Sequence, residues 1–571
     1  MAPRKATWLI ISPGGAADYT AGMPLLPLLL FAATISPYDL VVRNGHIIDG
    51  TGSPWYAADI GIRAGKIAAI GRLDGAPAKQ TIDAHGMVVA PGFIDMLGQS
   101  ELTILVDPRL PSKIYQGITT EITGEGGSVA PLNDAIIKAD HVTYEHYRIT
   151  PNWRTLAEYY ARLRKQGMGI NLASYVGATQ VRRMTLGDED RVPNAAELAR
   201  MQALVRDAMR DGAMGVSTSL QYAPAPYAKT EELIALASEA AKAGGIYASH
   251  IRDEGGGIAS ALDEAFRIGR EAKIPVEIWH LKAAGKPNWG RMPEIVSKIE
   301  AARKSGVEVG ADTYAYTAWF NSLSAAIPPW AHDGGDKKLI ERLKDPAMRA
   351  RIRKEMLTPS ESWNNEWLEV PGPESILLCS VQNPKLLPLQ GKNIAEIAKL
   401  WNKDPIDTVF DILIQDEGFT EVAMFAMSEP DVALALKQPW VSVCNDSQGT
   451  SPDGLLGQEH PHPRAYGTFP HILRKYVHDD HLLTLEDAIR KFSALPAGRL
   501  RIQDRGVLKA GMWADMLVFD PENIRDLATF EKPNQLSEGM RYVLVNGVPV
   551  IKEGKMTGAL PGKVVLGQGA R

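Results

Sequence analysis

His250 and His280 stand 30 residues apart, and each closes a short apolar run that reads as a β-strand. Gly245-Ile246-Tyr247-Ala248-Ser249 precedes the first, and Pro275-Val276-Glu277-Ile278-Trp279 precedes the second. Thirty residues is about one strand–helix unit, so neighbouring strand ends could offer both imidazoles to one metal ion. One strand-end histidine is ordinarily structural. Two in successive units, in a chain with only 12 histidines, favour a ligand pair. Glu125 lies in Ile122-Thr123-Gly124-Glu125-Gly126-Gly127, just after another strand-like run. The glycines let the backbone bend and aim the carboxylate at the same mouth. With the two histidines it makes a two-nitrogen, one-carboxylate zinc site with positions left for water; alone it reads as a solvated loop acid. Asp446 follows Val441-Ser442-Val443-Cys444-Asn445. A carboxylate there can take a proton from metal-activated water and pass it to a leaving amine. The alternative is an N-cap for the following helix. Tyr222, Arg252, Lys282, His462, Arg464 and Tyr466 gather around these positions. Arg and Lys at such a mouth suit a substrate carboxylate; surface charges or internal ion pairs are the other reading.

Positioning these side chains requires strands in register with their ends together. Strand-like runs over 117–122, 171–176, 214–217, 245–248, 276–279, 307–311 and 440–443 alternate with helical runs. In 230–242, Leu233, Leu236 and Ala237 fall at helical spacing, as do Leu198, Met201 and Val205 in 194–210. Repeated strand–helix units imply a parallel sheet. About eight strands in some 400 residues fit an α/β fold of the (β/α)₈ TIM-barrel kind, spanning 90–498, with active groups at the C-terminal strand ends. The other candidate is an open doubly wound sheet, which would carry a Gly-rich loop after its first strand. Residues 318–375, rich in Trp, Pro and charge, read as an insertion above the mouth. Short strands with Gly and Asn-Gly turns fill both 37–89 and 499–567, so the two ends are expected to pair into one small β-domain. Within it, Asn44-Gly45 reads as a turn ending the Tyr38–Gly45 strand.

The bulk numbers exclude several classes. With 62 basic and 67 acidic residues, net charge −5, nothing attracts nucleic acid. Cys379 and Cys444 define neither a disulfide framework nor a Cys-rich zinc site. The apolar run Pro24–Thr34 is 11 residues long, against roughly 20 for a membrane span. It has the length of a signal-peptide core, which makes residues 1–36 a leader and the protein secreted or periplasmic. Otherwise 1–36 is a disordered extension of a cytoplasmic protein. Homo-oligomer formation stays open.

Six segments carry a family resemblance from about Tyr38 to Gly567. They are Tyr38–Gly45; Gly215-Val216-Ser217-Thr218-Ser219-Leu220 with Tyr222-Ala223-Pro224; and His250-Ile251-Arg252-Asp253-Glu254. The rest are His280-Leu281-Lys282-Ala283-Ala284-Gly285, His462-Pro463-Arg464-Ala465-Tyr466-Gly467-Thr468-Phe469 and Arg505-Gly506-Val507-Leu508. Together they resemble the D-aminoacylase (N-acyl-D-amino-acid deacylase) family of the amidohydrolase superfamily. The resemblance implies a (β/α)₈ barrel beside a small β-sandwich built from both chain ends. It implies zinc on His250 and His280, Asp446 as the catalytic carboxylate, and Tyr222, Arg252 and Lys282 near the substrate.

Three departures stand out. Where the family has His-x-His after Ala90-Pro91-Gly92-Phe93-Ile94-Asp95, this chain has Leu97-Gly98-Gln99, a vacated metal site. The family's zinc-binding Cys has become Glu125, and a Gly-His near the next strand end has become Gly177-Ala178. A carboxylate can replace a thiolate on zinc, and the related N-acetylglucosamine-6-phosphate deacetylases include single-zinc Glu/His/His members. The expectation is therefore one zinc per chain on Glu125, His250 and His280. The activity expected is hydrolysis of N-acyl amino acids, small substrates with an amide and a carboxylate anchored by Arg252, Lys282 or Arg464. The alternatives are hydrolysis of a cyclic amide or dipeptide-like bond, and a metal-free pseudoenzyme that binds a ligand or partner.

Overall fold

A computed structural model describes residues 37–360 and 362–570. The leader reading of 1–36 lies outside the described residues. Parallel pairing dominates the middle of the chain. Phe93–Asp95 pairs with Ile118–Thr123, and that strand with Asn171–Ser174. After Tyr175 the chain continues as Val176–Gly177, the edge of a second parallel sheet. Its order then runs Gly215–Ser219, Ile246–His250, Val276–Ile278, Val309–Thr313 and Val441–Val443. The residues just beyond Phe93–Asp95 are hydrogen-bonded to Val443 and the residues after it. Met96 N–H donates to the Val443 carbonyl, Asp446 N–H to that of Leu97, and Gln99 N–H to that of Ser447. These strands are buried throughout and rich in β-branched residues, as parallel strands covered on both faces must be.

Helices join successive strands. Ala195–Asp211 starts at Asn194, whose side chain accepts from Glu197 N–H in a capping box, and stops at left-handed Gly212. Its Met201 and Val205 are fully buried, as are Leu236 and Ala237 of Thr230–Lys242. The helical spacing read from the sequence thus marks the faces that pack on the strands.

Between Val309–Thr313 and Val441–Val443 the parallel order pauses for longer than 318–375. A three-stranded antiparallel sheet forms there from Trp319–Ser322, Ile376–Leu378 and Glu421–Met424. It carries Trp319 and Phe320 to the wall of the cavity described below.

The two chain ends share one nine-stranded sheet. Val88–Pro91 pairs antiparallel with Met516–Phe519, which joins the early strands to the late ones. Leu40, Val42, Ile60, Ile62, Val89, Met516, Val518 and Leu544 form their own apolar cluster beneath it. Asn44-Gly45 does not end its strand. The strand runs on from Tyr38 to Ile47, and the register shifts between Val42 and Gly45. Asn44 takes φ 56, so the left-handed residue makes a bulge. Asn546-Gly547, with φ 49 and 79, does turn the chain between Met540–Val545 and Val548–Lys552. No helix among the described residues is long and apolar enough to cross a membrane.

Candidate active site

The candidate side chains sit at the downstream ends of the parallel strands. His250 is the last residue of its strand. Glu125 and His280 come two residues after theirs, and Asp446 three after Val443. The Glu125 turn depends on its glycines. Gly124 has φ +98, and a Cβ there would stand 2.8 Å from the Tyr175 carbonyl oxygen. Gly126 has φ +60, and a Cβ would meet Ser219 Cβ at 2.6 Å. Glu101 fixes the turn by accepting the Gly124 N–H at 2.8 Å; burial pushes its own pKa up to about 8. His280 and Asp446 both have left-handed backbones, φ 37 and 49, an uncommon conformation for residues with a Cβ. The His280 N–H donates to Asp312 Oδ1 at 2.6 Å, and the Asp446 N–H to the Leu97 carbonyl at 2.9 Å. Those bonds hold both side chains toward the strand ends.

Glu125, His250 and His280 each bring one donor atom within 4.8 Å of the others. Glu125 Oε1 lies 3.1 Å from His250 Nδ1 and 3.7 Å from His280 Nε2. The second nitrogen of each ring is already engaged. His250 Nε2 is 3.1 Å from Gln221 Oε1, and His280 Nδ1 is 2.9 Å from Glu254 Oε1. With a metal ion held beside Glu125, N–H donation to those oxygens would leave His250 Nδ1 and His280 Nε2 free to ligate it. Lys282 Nζ is 2.8 Å from His280 Nδ1, and it donates to both Glu254 oxygens at 2.7 and 2.8 Å.

The electrostatics favour positive charge at this point. Burial works against a charged Glu125, but the bonds and charges of His250 and His280 outweigh it and hold the carboxyl well below its usual range. Burial and Lys282 push His280 down, yet Glu254, Asp446 and Glu125 carry its pKa up to about 10. The carboxylates around His280 favour a positive charge here. Two imidazoles and a carboxylate with ordered outer partners fit a divalent transition metal.

Asp446 is buried beside this triad. Its Oδ2 is 2.8 Å from Arg464 Nη1, and its Oδ1 accepts from Gln99 Nε2 at 3.1 Å. Burial raises its pKa while Arg464 and His280 oppose the rise. It caps no helix among the described residues. The same Gln99 nitrogen donates to Glu125 Oε2 at 2.8 Å. Leu97 is fully buried and offers no donor.

A cavity of about 520 Å³ opens over the triad, bordered by Tyr222, Arg252, Lys282, Trp319 and Phe320. Tyr222 packs edge-on against His250 with ring centres 4.9 Å apart. The cations read as carboxylate anchors already hold protein carboxylates. Arg252 makes two 2.9 Å bonds to Glu264, Lys282 binds Glu254, and Arg464 binds Asp446. Sequence reading missed Glu254 and Gln221, which stand near residues it singled out: Glu254 lies four residues beyond His250, and Gln221 precedes Tyr222. It also missed Lys113. This residue is fully buried, and its Nζ reaches Asp95 Oδ2 at 2.8 Å, Asn445 Oδ1 at 2.7 Å, the Ser447 carbonyl at 2.8 Å and Glu121 Oε1 at 3.1 Å. It therefore ties the strand end before Gln99 to the one that bears Asp446. Lys113→Met leaves two buried carboxylates without their cation and is expected to cost about 3–5 kcal/mol. The expected observation is a clearly lower denaturant midpoint; an unchanged midpoint would show the network to be energetically idle.

The amidohydrolase family model matches residues 80–551. A D-aminoacylase of Alcaligenes xylosoxydans xylosoxydans is 37% identical over 533 residues, covering 93% of this chain and 98% of that protein. An N-acyl-D-glutamate deacylase of the same organism is 34% identical, covering 90% and 94%. Among solved structures, the N-acyl-D-glutamate deacylase of Bordetella bronchiseptica, complexed with zinc and a phosphonate mimic of the tetrahedral intermediate, superposes with a TM-score of 0.78. It is 33% identical, with 93% of this chain and 100% of that one covered. A D-aminoacylase structure concerned with one-metal activation and second-metal attenuation of a binuclear centre gives a TM-score of 0.77, also at 33% identity, covering 93% and 100%. The chain belongs to the amidohydrolase family, among the D-aminoacylases and N-acyl-D-amino-acid deacylases. It is an α/β metal-dependent hydrolase of amide C–N bonds other than ordinary peptide bonds.

Proposed function

We propose that this protein is a zinc-dependent deacylase of N-acyl-D-amino acids that works with one metal ion. The observation that carries the reading is the convergence of Glu125, His250 and His280 within 4.8 Å beside Asp446. Zinc held by these three would polarise the amide carbonyl and lower the pKa of a water toward about 7. Asp446 takes a proton as that water attacks the carbonyl carbon, then delivers it to the departing nitrogen. Arg464 keeps the Asp446 carboxylate oriented, and Glu254 and Gln221 keep the two imidazoles in their ligand tautomers. Tyr222, Arg252 and Lys282 border the substrate. A substrate carboxylate has to compete with Glu254 for Lys282 and with Glu264 for Arg252.

The same reading takes the eight parallel strands as a closed (β/α)₈ barrel over 90–498. Its support is the hydrogen bonding of residues 96–99 to 443–447. The strands of 37–89 and 499–567 then form the small β-domain. The D-aminoacylase and N-acyl-D-glutamate deacylase relatives support N-acyl-D-amino acids as the substrates. The test is release of free amine from matched N-acetyl-D- and N-acetyl-L-amino acids. Turnover of the D series in preference to the L series is expected. Turnover of cyclic amides alone would replace this substrate class with the other.

A further inference from the structure

Gln99 stands where the family resemblance puts a histidine, and the chemistry above gives it no role. Its single amide nitrogen donates in two directions, to Glu125 Oε2 at 2.8 Å and to Asp446 Oδ1 at 3.1 Å. The other oxygen of each carboxylate is committed elsewhere. Glu125 Oε1 faces His250 and His280, and Asp446 Oδ2 faces Arg464. Two buried carboxylates turned toward one point repel each other unless something positive lies between them. In this chain that something is an N–H₂ group. Leu97, two residues back and fully buried, supplies no donor that could help to hold an ion there. Gln99 is itself held from behind, because its backbone N–H donates to the Ser447 carbonyl at 3.1 Å.

We propose that Gln99 does the work of a second cation: its amide nitrogen bridges Glu125 and Asp446, limits the centre to one metal ion, and sets Asp446 for proton transfer. Two consequences can be separated. Removing the side chain leaves the two oxygens facing each other across open space, which a hydrated divalent cation can fill through carboxylate and water ligands. Replacing it with an apolar side chain of similar length fills the space but removes the donor.

The experiment counts zinc and follows turnover in the full-length protein. Metal-free protein is dialysed against excess zinc, and bound metal per chain is read by elemental analysis. Wild type is expected to hold one zinc and Gln99→Ala two. Gln99→Ser serves the same arm should the alanine variant fail to fold. Gln99→Met is expected to hold one zinc but to lose about tenfold in kcat, the scale of one hydrogen bond to a charged group, with KM within about twofold. A purely structural role would not produce that division. Two zinc ions in wild type, one in the alanine and serine variants, or wild-type kcat in the methionine variant would each overturn the proposal. The turnover arm rests on the deacylase reading; the metal count does not. If no N-acyl amino acid is hydrolysed, that reading fails while the count still decides the role of Gln99.

Discussion

Asp446→Asn is expected to lower kcat by at least about 10²-fold, the low end for a general acid–base group, while the metal stays bound. The reason lies in what the substitution leaves alone. Glu125, His250 and His280 keep their donor atoms, so metal affinity should hold. Asn is close to Asp in shape, and the backbone bond from Asp446 N–H to the Leu97 carbonyl survives. What is lost is an oxygen that can accept a proton next to the attacking water. The amide also turns an N–H toward either Gln99, already a donor, or the Arg464 cation. The expected protein is folded, metal-loaded and nearly inactive. Near wild-type turnover would send the search for the base to another carboxylate. Loss of metal would place Asp446 among the ligands.

Glu125→Ala should remove metal and activity together. Loss of an outer partner costs about 10–100-fold in affinity or activity, and loss of a direct ligand should exceed that. Two imidazoles remain, but the carboxylate that draws positive charge to them is gone. Glu125→Cys is the informative companion, because a thiolate is a good zinc ligand. It should keep part of both metal and turnover. Metal content by elemental analysis and kcat on one substrate check both variants. Full metal and normal turnover in Glu125→Ala would remove Glu125 from the centre.

Much of this arrangement was legible because it is written in strand ends. His250, His280, Glu125 and Asp446 each follow an apolar run, and parallel strands bring such ends together. The pairing of the two chain termini was legible from repeated short strands and Gly turns. What was not legible depends on where side chains point. Arg252 stands two residues after His250 in sequence, yet its guanidinium turns to Glu264, twelve residues on. Lys113, in Pro111-Ser112-Lys113-Ile114, has the appearance of a surface lysine. Fully buried, it meets Asp95, Glu121 and Asn445, which three separate segments of the chain bring together and no local pattern reveals. Asn44-Gly45 and Asn546-Gly547 share a dipeptide but differ in outcome. Partner strands continue past the first, and the second sits at the tip of a hairpin. Leu97 and Gln99 raised the prospect of a metal-free binding protein. Three donors converge despite that loss, and Gln99 turns out to bridge two acids.

The measurement that bears most directly on the account is zinc titration of the metal-free enzyme with an N-acetyl-D-amino acid present and free amine release followed. The account predicts no release without metal, a linear rise up to one equivalent of zinc per chain, and a plateau beyond it. Release that is indifferent to zinc, or a rise that continues to two equivalents, would contradict it.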